Sequence, residues 1–196
     1  MKDEPVFEYH AEEAVLEIEL PDNSKKQITI KSGWSFGTGG HETTRLCLKA
    51  LEGLFKTERI ERVLDIGCGS GVLSIASSML GASYVDGIDI DSSIIEEARV
   101  NAFQNDPKLA VQFFTIPIFE INKTYNLVAA NILLKTILSF LDNISERVES
   151  QGYFIASGIK DKDRNNAAKS IEEFGFKLQK TYTENEWVAL VFQKTG

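Results

Sequence analysis

The sequence predicts an α/β fold, a sheet whose strands alternate with helices and which an antiparallel hairpin closes. Three observations predict it. From residue 62 to residue 174, short apolar runs take turns with stretches of helical spacing. Between the first of those runs and the first helix, glycine occupies every second position, at Gly67, Gly69 and Gly71. Residues 176–183 and 187–193 alternate apolar with polar side chains on either side of a turn.

Taken in order, residues 14–20 and 26–30 alternate around Pro21-Asp22-Asn23-Ser24 and predict a hairpin. Residues 1–32 are thus expected to be a short appendage, too small for a core of its own, packed on the main sheet or on another chain. Residues 33–196 form the main domain. Residues 33–44 hold four glycines, four hydroxyl residues and the aromatics Trp34 and Phe36. This composition predicts a lid closing over a ligand with Phe36 against it, or a structural entry loop. The following helix places Leu46, Leu48, Leu51, Leu54 and Phe55 on one face, with Thr43 or Thr44 as its cap. His41 is read as a hydrogen bond shaping the loop, or as a catalytic base.

The stretch Arg62-Val63-Leu64-Asp65-Ile66-Gly67-Cys68-Gly69-Ser70-Gly71-Val72 reads as strand, tight turn and helix start. Glycine admits positive φ and lets a ligand approach the backbone. A dinucleotide loop would carry Gly-x-Gly-x-x-Gly, whereas here Val72 stands at the third glycine position. The acidic Asp65 at the strand end would repel a pyrophosphate but suits the cationic amino-acid end of S-adenosylmethionine. About twenty residues on, Tyr84 to Asp91 read as a second strand ending in acids. Asp89 is placed to accept hydrogen bonds from a ribose diol, and Asp91 to cap the next helix with Ser92 and Ser93.

Val72 to Leu80 is a helix stopped by Gly81. Residues 92–104 are the next, with Ile94, Ile95, Ala98 and Phe103 on its packed face and Asp106-Pro107 closing it. Val111 to Phe114 form a third strand, with Thr115 to Pro117 near a cofactor base. A buried strand then ends at Asn131, whose amide either holds an amine toward a methyl group or turns the chain. Ile137, Leu138, Leu141, Ile144 and Val148 predict one amphipathic helix. Residues 152–158 form a strand and residues 162–174 a helix ending at Gly175.

The chain has 196 residues, 43% hydrophobic and 26% charged, which suits one soluble domain with a small appendage. Its formal charge of −8 argues against a nucleic-acid surface. No apolar run reaches the roughly 18 residues of a membrane span. The acidic opening residues are unlike a targeting peptide. Two cysteines, Cys47 and Cys68, fit a reducing cytoplasm without disulfide or structural metal.

Four motifs carry a resemblance: Phe36-Gly37-Thr38-Gly39-Gly40-His41-Glu42-Thr43-Thr44, Asp65-Ile66-Gly67-Cys68-Gly69-Ser70-Gly71, Ala130-Asn131-Ile132-Leu133, and Glu186-Trp187-Val188-Ala189-Leu190-Val191. In this order they resemble the ribosomal protein L11 methyltransferase (PrmA) family, over residues ~31–195. The resemblance implies a class I, Rossmann-like methyltransferase fold with a seven-stranded sheet, S-adenosyl-L-methionine as cofactor, and methylation of lysine side chains and an N-terminal amine of a ribosomal protein. Carried over by motif, it implies cofactor contacts at Thr44, Gly67, Asp89 and Asn131. Members carry a separate amino-terminal recognition domain where this chain has about thirty residues, so a partner subunit for recognition is one expectation. Position 126 is Asn where the family usually has Asp. Methylation of a small molecule or RNA, and a non-catalytic cofactor-binding subunit, are the alternatives.

Overall fold

The computed structural model describes residues 12–32 and 40–196. Trp34 and Phe36, with the expected lid around them, lie outside the described residues. In chain order the elements are β1 (Glu12–Glu19), β2 (Lys25–Ser32), α1 (Glu42–Thr57), β3 (Arg62–Ile66), α2 (Val72–Leu80), β4 (Tyr84–Asp89), α3 (Ser92–Asn105) and β5 (Val111–Thr115). There follow β6 (Tyr125–Asn131), α4 (Leu134–Ser139), α5 (Leu141–Arg147), β7 (Val148–Lys160), α6 (Arg164–Glu172), β8 (Phe176–Glu184) and β9 (Trp187–Lys194).

Seven strands form one sheet in the order β5-β4-β3-β6-β7-β9-β8. β3 to β7 run parallel, while β9 lies antiparallel to both β7 and β8. The order reverses between β3 and β6, because β3 continues outward through β4 while the chain returns to its other side at β6. At such a switch point the loops after two neighbouring strands diverge and leave a crevice beyond their carboxyl ends. One sheet face, with Val63, Val85, Ala129 and Ile155, packs under α1 and α2. The other, with Leu64, Val128, Phe154 and Leu190, packs against Ile137, Ile144 and Ala167 of α4, α5 and α6.

The hairpin β1–β2 lies on helices and not on the sheet. Its buried Ile18, Ile28 and Ile30 join the core formed by α1 and α2. The β2 edge is satisfied by side chains of α3. Asn105 accepts from the Thr29 N–H at 2.9 Å and donates to the Thr29 carbonyl at 2.7 Å. The expectation of packing on the main sheet is therefore corrected: three fully buried isoleucines have their partners in this chain's own helical layer.

Three further readings are corrected. Thr43 and Thr44 do not cap α1: His41 is the N-cap, its Nδ1 accepting from the Thr43 N–H and pairing with the Thr43 hydroxyl at 2.8 Å. The single helix expected over 137–148 is broken at Phe140 into α4 and α5, and Val148 already belongs to β7. Phe103 is 70% exposed. It lies five residues beyond Ala98, about 140° around a helix of 3.6 residues per turn, and the buried position on that face is Asn101.

Among the described residues no helix is long and apolar enough to cross a membrane.

Candidate active site

Strand register gathers the expected residues. Asp65 lies opposite Gly87 on one side and Ala129 on the other. Side chains alternate along a strand, so two residues further on Asp89 and Asn131 share the face of Asp65. Ser157, opposite Asn131, joins them. All four thus stand at the carboxyl end of the sheet, on the face covered by α1 and α2.

The glycine turn passes between Asp89 and Asn131. Gly67, Gly69 and Gly71 all have positive φ, at 66°, 54° and 83°, a region that L side chains enter at a cost. The Gly67 and Cys68 N–H groups donate to the Ile88 carbonyl at 2.8 and 3.0 Å, which seats the turn on the end of β4. A Cβ on Gly67 would lie 2.5 Å from Ile132, immediately after Asn131, and one on Gly71 2.9 Å from the Phe113 ring. On the other side of Asn131, Gly158 (φ 77°) takes a backbone turn where a Cβ would run into the Ile132 carbonyl. The segment 131–132 is thus gripped between two glycines that admit no side chain.

Asp65 is 1% exposed. Its Oδ2 accepts from the Ser74 hydroxyl at 2.7 Å. Among the described residues no Lys or Arg pairs with it. Burial without a counter-charge pushes its carboxyl up to about 6, and the negative Asp89 adds to that. Asp89 uses Oδ1 to accept from the Ile90 and Asp91 N–H groups, at 2.7 and 3.2 Å. Asp91 caps α3 through Ser93, as expected. Ile90, beside Asp89, is 80% exposed and offers an apolar face at the crevice.

Among the described residues, Thr44 Oγ1 at the start of α1 and Asn131 Oδ1 at the end of β6 are buried and without a hydrogen-bond partner. A buried unsatisfied acceptor or hydroxyl costs about 1–3 kcal/mol, and a ligand that bonds both would recover that cost. The α1 end that carries Thr44 is clamped by Arg45, which donates twice to Glu184 Oε1, at 2.9 and 2.6 Å. His41 stacks edge-on against Trp187 at 5.1 Å. The fourth sequence motif thereby meets the first.

Sequence reading missed Ser74, Ser157, Ile90 and the Arg45–Glu184 clamp. Only Ser74 had a local signal, a hydroxyl one turn into the helix after the glycines. Asn126, the departure from the family's usual Asp, lies away from the crevice. It accepts from the Glu61 and Arg62 N–H groups at 3.1 and 2.9 Å and donates to Glu149 at 2.8 Å, stitching β3, β6 and β7 at their amino ends. Cys47 and Cys68 are free and buried. Burial pushes both thiols up, Cys47 to about 12, which leaves them inert at neutral pH.

The strand order, the closing antiparallel hairpin and the glycine turn at the switch point define the class I methyltransferase fold. Within it, residues 13–195 match the model of the family described as ribosomal protein L11 methyltransferase (PrmA), and the chain belongs to that family. A ribosomal protein L11 methyltransferase from Exiguobacterium is 38% identical over 175 residues, covering 89% of this chain and 55% of that protein. The chain thus spans little more than half the length of that relative. The crystal structure of a ribosomal protein L11 methylase from Lactobacillus delbrueckii subsp. bulgaricus superposes with a TM-score of 0.74 at 25% identity, over 81% of each chain. A magnesium protoporphyrin IX methyltransferase from Synechocystis, solved with bound SAM, shares the fold at a TM-score of 0.59 and 21% identity, over 68% of this chain and 69% of that one.

Proposed function

We propose that this chain carries the catalytic site of an S-adenosylmethionine-dependent methyltransferase acting on a protein amine, with a ribosomal protein as the substrate that the relatives' names indicate. The observation that supports it most is Asp65, a buried carboxylate with no cation among the described residues, set beneath a left-handed glycine turn between Asp89 and Asn131. The buried unpartnered oxygens of Thr44 and Asn131 fit the same ligand. When bound, S-adenosylmethionine supplies a methyl group activated by a positively charged sulfur.

The chain's own residues divide the work. Asp65 holds the cationic amino-acid end, directly or through water. Gly67, Gly69 and Gly71 leave the backbone open to close approach. Asp89 keeps one carboxylate oxygen for a ribose hydroxyl, since among the described residues its bonds are made through Oδ1. Ile90 offers a face to the base, and Thr44 a hydroxyl.

Asn131 Oδ1 accepts an N–H of the incoming amine and so turns the nitrogen lone pair toward the methyl group. Such orientation supplies much of the rate in a displacement reaction. A lysine amine has a reference pKa of ~10.4 and must be neutral to attack. A dry crevice disfavours its ammonium form. His41, engaged as the α1 cap, is not needed as a base. The two buried thiols fit the reducing cytoplasm in which such a substrate is made.

Methyl-labelled S-adenosylmethionine incubated with cell lysate and with purified ribosomal proteins tests this reading. A labelled protein band supports it. Label in RNA or in a small molecule overturns the acceptor, and cofactor binding without transfer makes the chain a subunit that needs a partner.

A further inference from the structure

Outside that cluster, a buried amide links two parts of the site. Asn101, in the middle of α3, is fully buried on the face of Ile95 and Ala98. Its Oδ1 accepts from the Lys31 N–H of β2 at 3.0 Å. Its Nδ2 donates to the Ser70 carbonyl of the glycine turn, also at 3.0 Å. The orientation of the amide is unambiguous, because a backbone N–H only donates and a backbone carbonyl only accepts. Ser70 is itself fully buried and stands between Gly69 and Gly71, both left-handed. A peptide flanked by glycines has weak torsional preferences of its own, so the direction of its carbonyl is set by what that carbonyl bonds.

One turn along α3, Asn105 provides an internal comparison. It grips β2 in the same way, at the Thr29 N–H and carbonyl, and also donates to the Asn101 carbonyl at 2.8 Å. Among the described residues it makes no hydrogen bond to the glycine turn, so the two asparagines share the anchoring of the hairpin but Asn101 alone of the pair extends to Ser70.

We propose that Asn101 is a positioning residue of the cofactor site. It fixes the Ser70 carbonyl and with it the path of residues 67–71. Because β2 leads directly into residues 33–44, the root of that segment and the glycine turn are held by one buried side chain. The affinity part of this inference rests on the cofactor reading above; the control of the turn by Asn101 does not.

Asn101→Asp tests it with little change of shape. The variant keeps an acceptor for Lys31 but sets an oxygen against the Ser70 carbonyl. Asn105→Asp is the control. Two readouts are taken: the dissociation constant for S-adenosylhomocysteine by calorimetry, and hydrogen exchange of the amides of residues 67–71 without ligand. Asn101→Asp is expected to weaken binding by about tenfold, the scale of one lost buried hydrogen bond, and to speed exchange in the turn. Asn105→Asp is expected to lower the melting temperature while leaving both readouts near wild type. Equal effects of the two variants, or no change at residues 67–71 in Asn101→Asp, overturn the proposal. If wild type binds no S-adenosylhomocysteine, the cofactor reading fails and hydrogen exchange alone decides the role of Asn101. Should either Asp variant fail to fold, Asn101→Ala against Asn105→Ala gives the same contrast.

Discussion

Asp65 and Asp86 sit on neighbouring strands, both 1% exposed, and the chain treats them in opposite ways. Asp86 pairs in register with Leu64, one residue before Asp65, so the two carboxylates face opposite sides of the sheet. Asp86 Oδ2 accepts from the Tyr125 hydroxyl at 2.6 Å and faces the Lys123 ammonium at 3.5 Å, and Lys123 also bonds the Tyr84 hydroxyl. Asp65 has the Ser74 hydroxyl and no cation among the described residues. Burying a charge is costly unless it is paired. One acid is paired through its Oδ2 with a hydroxyl and a cation of its own chain and serves the fold. The other is left short of a positive partner at the carboxyl edge of the sheet, where the crevice opens.

The largest effect is expected beside Asp65, at Asn131. Asn131→Ala should cut turnover about a hundredfold, the scale of a small misplacement of reacting groups, while stability stays near wild type; unchanged turnover and cofactor binding would remove its positioning role. Next comes Asp65→Asn, which should weaken cofactor binding by roughly ten- to a hundredfold, as for a lost hydrogen bond to a charged group. The same substitution should stabilise the unliganded protein at neutral pH. Because the folded-state value is raised from 3.8 to about 6, the folded state binds the proton more tightly than the unfolded chain. Stability from this group is therefore complete below about pH 4 and is lost as pH rises through about 6, at a cost of about 3 kcal/mol by neutrality. Urea unfolding of both proteins across that range should show the slope in wild type and not in the variant.

On the Asp86 side the expectation reverses. Tyr125→Phe removes a donor from a buried carboxylate and should cost about 1–3 kcal/mol of stability, with cofactor affinity unchanged by calorimetry. The smallest effect belongs to Phe103→Ser. This exposed ring touches neither region, and its replacement should shift stability by less than about 0.5 kcal/mol in thermal melts.

What was legible in the sequence was whatever local rules decide. The glycine spacing, the Gly81 stop, the Asp91 cap and the strand ending at Asn131 all depend on a few adjacent residues. The Asp89 and Asn131 positions followed from counting along strands, since register converts counting into proximity. What was not legible depends on partners far away in the chain. His41 takes the cap from two threonines because its ring is also held against Trp187. The break at Phe140 lies inside an unbroken helical pattern. Asn101 is polar on a face where the pattern asks for an apolar residue, and its partners lie 31 and 70 positions away.

The most direct measurement is a calorimetric titration of S-adenosylhomocysteine into wild type and Asp65→Asn, at about pH 7 and about pH 5. With an Asp65 value near 6, wild type should bind roughly tenfold more weakly at the lower pH, because a proton then competes with the ligand's ammonium group. The variant should bind weakly and equally at both. Wild-type affinity that is insensitive to pH and matched by the variant, or binding of NAD in place of S-adenosylhomocysteine, would contradict the assignment of Asp65 as the acid that receives the cofactor's cationic end.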